Sequence, residues 1–224
     1  MKRFSCVIFD LDGTISQTNE LIYATFNHVV GKYLKKVFTT HQIVATFGPP
    51  EEIAIARLVG SEQLGAAMSD FCRFYQEHHD AMATVHAGIP ELLRSLKDKG
   101  VILALFTGKG RKTTLITLEK FDILRYFDLI VSGSDVKNHK PSGEGIRAVL
   151  DRFSLAPEEV LMVGDAVADV KAARETGVAI ASVLWDSYGK DDVLGMGVED
   201  LFHDVAEFSL WLAPLSGSDG ARAR

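Results

Sequence analysis

The sequence has few cysteines and no long apolar run. Its 224 residues include only two cysteines, Cys6 and Cys72, whose spacing does not match a metal-binding pair. Reduced thiols in a cytoplasmic protein are the prediction. No apolar stretch approaches the roughly 20 residues that cross a bilayer, and the run at residues 4–9 is too short for a secretory leader. We therefore expect a cytoplasmic protein with no membrane partner.

The sequence also has no excess of basic residues. The chain has 24 Lys and Arg against 30 Asp and Glu, a formal net charge of −6. Proteins that bind nucleic acids usually carry a basic patch, so no nucleic-acid partner is predicted. An anionic substrate would need local positive groups or a metal ion to overcome this overall charge.

Two kinds of pattern divide the chain. From about residue 86 onward, short apolar runs alternate with helical patterns, which predicts a parallel sheet covered by helices on both faces. Residues 16–84 show helical patterns and no strand signal. They are therefore predicted to form an all-helical cap that is inserted after the first strand.

The predicted fold class is α/β, a doubly wound, mostly parallel sheet with this inserted helical cap. The core is predicted to comprise residues 1–15 and 85–215, and the cap residues 16–84. Residues 216–224 are rich in Gly, Ser, Ala and Arg and are predicted to be a disordered tail. Both a monomer and a homodimer are compatible with the sequence.

The first predicted strand ends in two acids. The apolar residues 4–9 run directly into Asp10-Leu11-Asp12-Gly13-Thr14. Open α/β sheets bind ligands outside the carboxyl ends of their strands, and two acids this close need a cation or a shared proton. The alternative is a strand followed by an Asx-type turn in which Gly13 supplies the unusual backbone angle. This stretch alone leaves both interpretations open.

Polar groups also follow or border the later strands: Thr107 and Gly108, Lys140, Asp165 and Asp169. Because parallel strands bring their carboxyl ends to one edge, we expect these residues around one crevice with Asp10 and Asp12. Taken singly, each has a plain structural explanation: a strand-end hydroxyl, a solvated lysine, or an acid at a helix start. Their common placement favours a site.

This set of residues can transfer a phosphoryl group. The Asp10 carboxylate can attack phosphorus to give an aspartyl-phosphate, and Asp12 can protonate the leaving alcohol and then activate water. Thr107 and the backbone N–H groups from Gly108 onward can bind phosphoryl oxygens, and Lys140 offers a positive charge. Asp10 and Asp165 can share Mg²⁺, since no His or Cys cluster favours a softer metal.

Four segments together resemble a known family. Asp10-Leu11-Asp12-Gly13-Thr14, Thr107, Lys140-Pro141 and the segment 164–169 are similar, in this order, to the four motifs of the haloacid dehalogenase-like superfamily. The helical insertion after the first motif resembles the small-cap members, such as phosphoglycolate phosphatases and related pyrophosphatases. The resemblance implies a Rossmann-like core and a nucleophile at Asp10.

The same resemblance implies the remaining roles. Asp12 would be the general acid/base, and Mg²⁺ would be held by Asp10, the backbone carbonyl of Asp12, and Asp165. Asp169 would orient Lys140 or a metal-bound water. The chain departs from the family pattern at Ile15-Ser16-Gln17 and at Gly108, which affects substrate specificity more than chemistry.

We therefore expect a Mg²⁺-dependent phosphatase, a phosphoric monoester hydrolase acting on a small phosphorylated metabolite. The substrate would be a phosphoglycolate-like phosphomonoester or pyrophosphate. The alternatives are a phosphomutase of the same superfamily, a dehalogenase, and a non-catalytic binding protein on the same fold.

Further residues are candidates for reading the substrate. We expect residues 16–19 and 48–51 to contact the leaving group, because they adjoin the joints between cap and core. Lys109, with Arg111 and Lys112, would either attract an anion or form a solvated helix start. His41 would either approach the substrate or be merely structural. Phe71, Phe74 and Tyr75 are predicted to pack inside the cap.

Overall fold

We describe a computed structural model of the protein over residues 4–216. Its strands are β1 (Cys6–Phe9), β2 (Ser16–Gln17), β3 (Thr84–Val85), β4 (Ile102–Phe106), β5 (Leu129–Val131), β6 (Val160–Gly164), β7 (Ala179–Val183) and β8 (Leu201–Phe202). Six of them form one sheet in the order β5-β4-β1-β6-β7-β8, and every neighbouring pair is parallel. The predicted parallel sheet is confirmed.

The first strand lies at the centre of this sheet. Cys6 of β1 pairs with Ile102 of β4 on one side and with Val160 of β6 on the other. The carboxyl ends of these three strands therefore reach the same edge. The residues that follow them, beginning with Asp10, lie at the middle of that edge.

Helices connect the strands. They are α1 (Asn19–Leu34), α2 (Thr40–Val44), α3 (Glu51–Val59), α4 (Ser61–Met82), α5 (Ile89–Asp98), α6 (Arg111–Lys120), α7 (Glu144–Phe153), α8 (Val167–Thr176), α9 (Lys190–Leu194) and α10 (Val205–Leu212). Short 3₁₀ turns occur at Leu124–Tyr126, Gly133–Asp135 and Pro157–Glu159. Within residues 4–216 no helix is both long and apolar enough to cross a membrane.

Alternating strand residues build two apolar layers. Val7 and Phe9 of β1 belong to one cluster, together with apolar residues of α5, α6 and α10. Cys6 and Ile8 belong to a second cluster, together with α7 and α8. Successive side chains of a strand point to opposite faces, so helices cover both sides of the sheet. This is the doubly wound arrangement that the sequence predicts.

Helices α1 to α4 have an apolar cluster of their own. Phe26 of α1 packs edge-on against Phe71 of α4, and Tyr75 is fully buried. Phe71 and Tyr75 therefore pack as the sequence predicts. Phe74 also packs within the helical segment, where it stacks on His28 of α1 and His78 of α4 outside this apolar cluster. The domain limits drawn from the sequence stay a prediction.

The expectation that residues 16–84 contain no strand is wrong at both ends of the segment. Ser16 pairs with Val85 and Gln17 pairs with Thr84, so β2 and β3 form a two-stranded antiparallel sheet. Two-residue strands are too short to show an alternating pattern. The chain thus enters and leaves the helical segment side by side.

The C-terminal residues were predicted to be disordered from residue 216 onward. Ser216 is buried and forms an isolated parallel bridge with Phe4 beside β1. The rest of that predicted tail, residues 217–224, lies outside the described residues.

Candidate active site

The end of β1 places a buried carboxylate against a buried lysine. The Asp10 N–H donates to the carbonyl oxygen of Val163 at 2.8 Å, which continues the parallel pairing with β6. Lys140 Nζ donates to Asp10 Oδ1 at 2.7 Å and to Asp169 Oδ1 at 2.6 Å. Burial alone would lower the pKa of Lys140, but the charges of Asp10 and Asp169 raise it above its usual value. Lys140 is therefore a cation fixed between two acids and not a solvated surface residue.

Three buried acids meet beside this lysine. Asp10, Asp165 and Asp169 each offer a carboxylate oxygen, and these oxygens lie within 4.8 Å of one another. Burial, followed by the negative charges of Asp10 and Asp169, raises the pKa of Asp165 well above its usual value. Asp165 Oδ1 accepts a hydrogen bond from Thr14 Oγ1 at 3.1 Å, whereas its buried Oδ2 has no hydrogen-bond partner within residues 4–216. An unpaired buried carboxylate oxygen is costly unless a cation compensates it.

Gly13 allows this approach. Its φ of +85° lies in the left-handed region, and a Cβ at this position would lie 2.5 Å from Asp165 Oδ2. Only glycine satisfies both conditions without strain. The unusual backbone angle expected at Gly13 is therefore present, and the turn around it brings the acids that follow β1 and β6 together.

Asp12 points to different partners. Its carboxylate accepts hydrogen bonds from Thr18 Oγ1 and from Lys109 Nζ, the latter at 3.3 Å and 3.2 Å to the two oxygens. Its side chain does not belong to the three-acid cluster. Asp12 is about one-fifth exposed, which leaves it accessible from the crevice. It is thus held in place from two sides, away from the acids that share Lys140.

Lys109 takes a position that neither sequence interpretation foresaw. It is buried, and its Nζ lies 3.2 Å from Asp12 Oδ2 and 3.9 Å from Glu51 Oε1. Burial alone would lower its pKa, but Asp12, Tyr75 and Glu51 raise the pKa of Lys109 above its usual value. The residue is neither a solvated helix start nor a free anion-attracting charge. The one available sequence signal was its position two residues after Thr107.

Glu51 links α3 to the segment after β4. Its carboxylate accepts hydrogen bonds from the Gly110 N–H and from Thr113 Oγ1, the latter at 2.7 Å. Glu51 opens α3 directly after Pro50, where an acid is favourable near the helix N-terminus. The side chain is buried. An acid of the helical segment therefore closes one side of the site.

Thr107 directly follows β4 and carries a buried hydroxyl. Its N–H donates to the carbonyl oxygen of Val131 at 3.0 Å, and its Oγ1 accepts from the Lys109 N–H at 3.2 Å. Since Oγ1 acts as acceptor in that bond, its own proton remains available for a ligand oxygen. Gly108 follows, and a Cβ there would lie 3.4 Å from the carbonyl oxygen of Gly48.

A cavity of about 480 Å³ lies between the strand ends and helices α1 to α3. All the site residues predicted from the sequence line it: Asp10, Asp12, Thr107, Gly108, Lys140, Asp165 and Asp169. Of the expected substrate-reading segments, Asn19, Gly48, Pro49 and Glu51 reach the cavity, whereas Pro50 and residues 16–18 do not. His41 is exposed and does not line it.

An apolar wall was not predicted from the sequence. Cavity-lining residues contributed by the helical segment include Ile22, Phe26, Val44 and Phe47. Tyr188, from the segment between β7 and α9, adds a ring that meets Phe47 edge-on at 5.8 Å. Burial and the negative charges of Asp165 and Asp169 raise the pKa of Tyr188 above its usual value. The tyrosine therefore stays neutral at the mouth of an acidic site.

Comparison with known proteins gives a consistent result. A family model described as haloacid dehalogenase-like hydrolase matches residues 7–183, which is most of the chain. The matched range contains every site residue named above except Tyr188.

Similar proteins cover nearly the whole chain. A pyrophosphatase named PpaX from Bacillus velezensis is 35% identical over 188 residues, which is 84% of this chain and 87% of that protein. A PpaX pyrophosphatase from Halalkalibacterium halodurans is 32% identical over 191 residues, which is 85% of this chain and 88% of its own. The crystal structure of a predicted phosphoglycolate phosphatase from Haemophilus somnus superposes with a TM-score of 0.81 at 21% identity, over 93% of this chain and 97% of that one. At 21% identity this similarity shows a shared fold alone.

Proposed function

Because this chain belongs to the haloacid dehalogenase-like hydrolase family, we propose that it is a Mg²⁺-dependent phosphatase of small phosphorylated metabolites. The observation that carries the proposal is the meeting of Asp10, Lys140, Asp165 and Asp169 at the carboxyl ends of β1 and β6. A non-catalytic protein gains nothing from burying three acids in contact, since each pays a desolvation cost.

The donor set fits a magnesium ion. Asp10, Asp165 and Asp169 offer only carboxylate oxygens, which hard cations prefer, and Asp165 Oδ2 lacks a protein partner. We assign Asp10 and Asp165 as carboxylate ligands, together with the backbone carbonyl of Asp12 that the family resemblance implies. When bound, the ion would neutralise negative charge on the substrate phosphate and on the nucleophile.

Asp10 is the proposed nucleophile. Lys140 donates to its Oδ1, which orients the carboxylate and leaves the other oxygen for attack on phosphorus. The new O–P bond gives an aspartyl-phosphate as the bond to the leaving oxygen breaks. Asp169 holds Lys140 from the far side, so the ammonium group stays where it can also pair with the phosphate.

Asp12 is the proposed general acid and base. Thr18 and Lys109 hold its carboxylate without bringing it into the acid cluster. In the first step it would protonate the leaving oxygen, and in the second it would take a proton from the water that hydrolyses the aspartyl-phosphate. Thr107 and the N–H of Gly108 would donate hydrogen bonds to the phosphoryl oxygens.

The relatives leave two substrate classes for this reaction. Pyrophosphatases at 32–35% identity support pyrophosphate, and the same chemistry hydrolyses a phosphomonoester. A phosphomutase would use the same aspartates but return the phosphoryl group to the substrate.

The test is release of inorganic phosphate from para-nitrophenyl phosphate. We expect turnover with Mg²⁺, none with EDTA, and a loss of at least about 10³-fold in Asp10→Asn. Asp151→Asn is the matched control, because Asp151 is an exposed residue of α7. Inactivity of the unmodified protein under both conditions would refute the proposal, as would full activity of Asp10→Asn. Recovery of an isomer in place of free phosphate from a sugar phosphate would identify a mutase.

A further inference from the structure

The cavity has two chemically different sides. The strand ends supply the acids and Lys140, whereas the helical segment supplies Ile22, Phe26, Val44 and Phe47. The polar residues on the helical side are uncharged, Asn19 and Thr46, apart from Glu51. A phosphate bound beside Asp10 and Lys140 would therefore direct its leaving group toward apolar side chains.

The charges on the cavity wall disfavour a second anionic group. Among the described residues that line it, the cations are Lys109 and Lys140, and both already contact two carboxylates. Glu51, the ionisable residue on the helical side, is an acid. The far phosphate of pyrophosphate, or the carboxylate of phosphoglycolate, would add negative charge to this wall and lose water without gaining an unpaired cation.

Aromatic rings extend the apolar side to the cavity mouth. Phe47 stacks on Tyr23 at 6.5 Å and meets Tyr188 edge-on at 5.8 Å. Tyr188 lines the cavity and is half exposed, which places it at the cavity mouth. These rings provide an uncharged surface on which an aliphatic or aromatic group can pack.

From these contacts we infer that the preferred substrate is a phosphomonoester whose leaving alcohol is apolar and uncharged, and that pyrophosphate and phosphoglycolate are poor substrates. The inference rests on the proposed phosphatase function and adds the substrate class to it. The preferred substrate inferred for this chain therefore differs from the pyrophosphate for which its relatives are named.

Two substrate comparisons test the inference. Isobutyl phosphate and phosphoglycolate have nearly the same shape, because two methyl groups replace two carboxylate oxygens. We expect kcat/KM for isobutyl phosphate to exceed that for phosphoglycolate and for pyrophosphate by at least about tenfold. Glycolate is the better leaving group, so intrinsic reactivity works against this result. In the series from methyl to butyl phosphate, kcat/KM is expected to rise about fourfold per methylene group.

A positive charge introduced into the wall should weaken the preference for the apolar leaving group. Val44→Lys places a cation at the end of α2, and we expect it to shift the ratio of kcat/KM at least about tenfold toward phosphoglycolate. Thr46→Lys is a second variant at the same wall. Val37→Lys is the matched control, since Val37 is 82% exposed and does not line the cavity, and it should leave the ratio unchanged.

The outcomes separate this inference from the proposed function. If pyrophosphate or phosphoglycolate is hydrolysed as efficiently as isobutyl phosphate, the substrate class is wrong while the phosphatase stands. A flat alkyl series, or unchanged ratios in both lysine variants, also overturns the inference. If no phosphate compound is hydrolysed, the proposed function fails and the inference fails with it.

Discussion

Replacing Asp165 with asparagine tests the metal site without changing the size of the side chain. The carboxylate oxygens of Asp10, Asp165 and Asp169 lie within 4.8 Å of one another. At an effective dielectric constant of about 20, two unit charges at that distance repel by about 3 kcal/mol, and partial protonation relieves part of this. The amide oxygen can still accept from Thr14, and the amide N–H₂ can donate to the remaining acids.

The variant should therefore have opposite effects with and without metal. Without Mg²⁺ we expect Asp165→Asn to raise the free energy of unfolding by about 1–3 kcal/mol, or Tm by about 2–12 °C. Mg²⁺ at 100 times its Kd stabilises the unmodified protein by about 2.7 kcal/mol, whereas the variant should gain almost nothing. Its phosphatase activity should also be lost.

Differential scanning calorimetry in EDTA and over a series of Mg²⁺ concentrations measures both effects. A buffer near pH 8 is used, because burial raises the pKa of Asp10 to about 7 and raises the pKa of Asp165 above its usual range. Asp151→Asn again serves as the exposed control. If Asp165→Asn keeps the full Mg²⁺-dependent rise in Tm, the three acids are not the metal site.

Two further predictions concern buried groups beside the site. Lys109→Met should lower the free energy of unfolding, measured by urea titration, by about 3–5 kcal/mol, because Asp12 and Glu51 lose their buried partner. Adding Glu51→Gln to this variant should restore part of the lost stability. If the two substitutions have strictly additive losses, Lys109 and Glu51 are not paired. Burial lowers the pKa of His86 to about 4, so His86 takes up a proton on unfolding below about pH 6.5. The free energy of unfolding should therefore fall by about 2–3 kcal/mol between pH 7 and pH 4.5. Urea titrations should show a smaller loss in His86→Asn, and equal losses would contradict this assignment.

Local sequence signals predicted much of the fold. Helix α4 begins directly after Gly60, and α3 begins after Pro50, where proline and two acids favour a helix start. The parallel sheet followed from apolar runs alternating with helical patterns. Strands β2 and β3 were missed because two residues carry no periodicity, and their pairing joins positions far apart in sequence.

Site residues could be predicted from the sequence where a polar residue directly follows a strand. Asp10, Thr107 and Asp165 each follow a buried strand, and parallel topology brings them together. Lys109 was not assigned, because its burial depends on Asp12, 97 positions away, and on Glu51 across the cavity. The apolar wall likewise depends on how the helical segment packs over the strand ends, which no local pattern specifies.

The central place of β1 in the sheet has a consequence for synthesis on the ribosome. Cys6 emerges well before its partners Ile102 and Val160, which lie far later in the chain. Helices α1 to α4 contact each other locally and share an apolar cluster, so they can fold before β1 has its strand partners. We expect this first strand to remain an exposed apolar segment until β4 arrives, which makes it a natural binding site for chaperones that protect nascent chains.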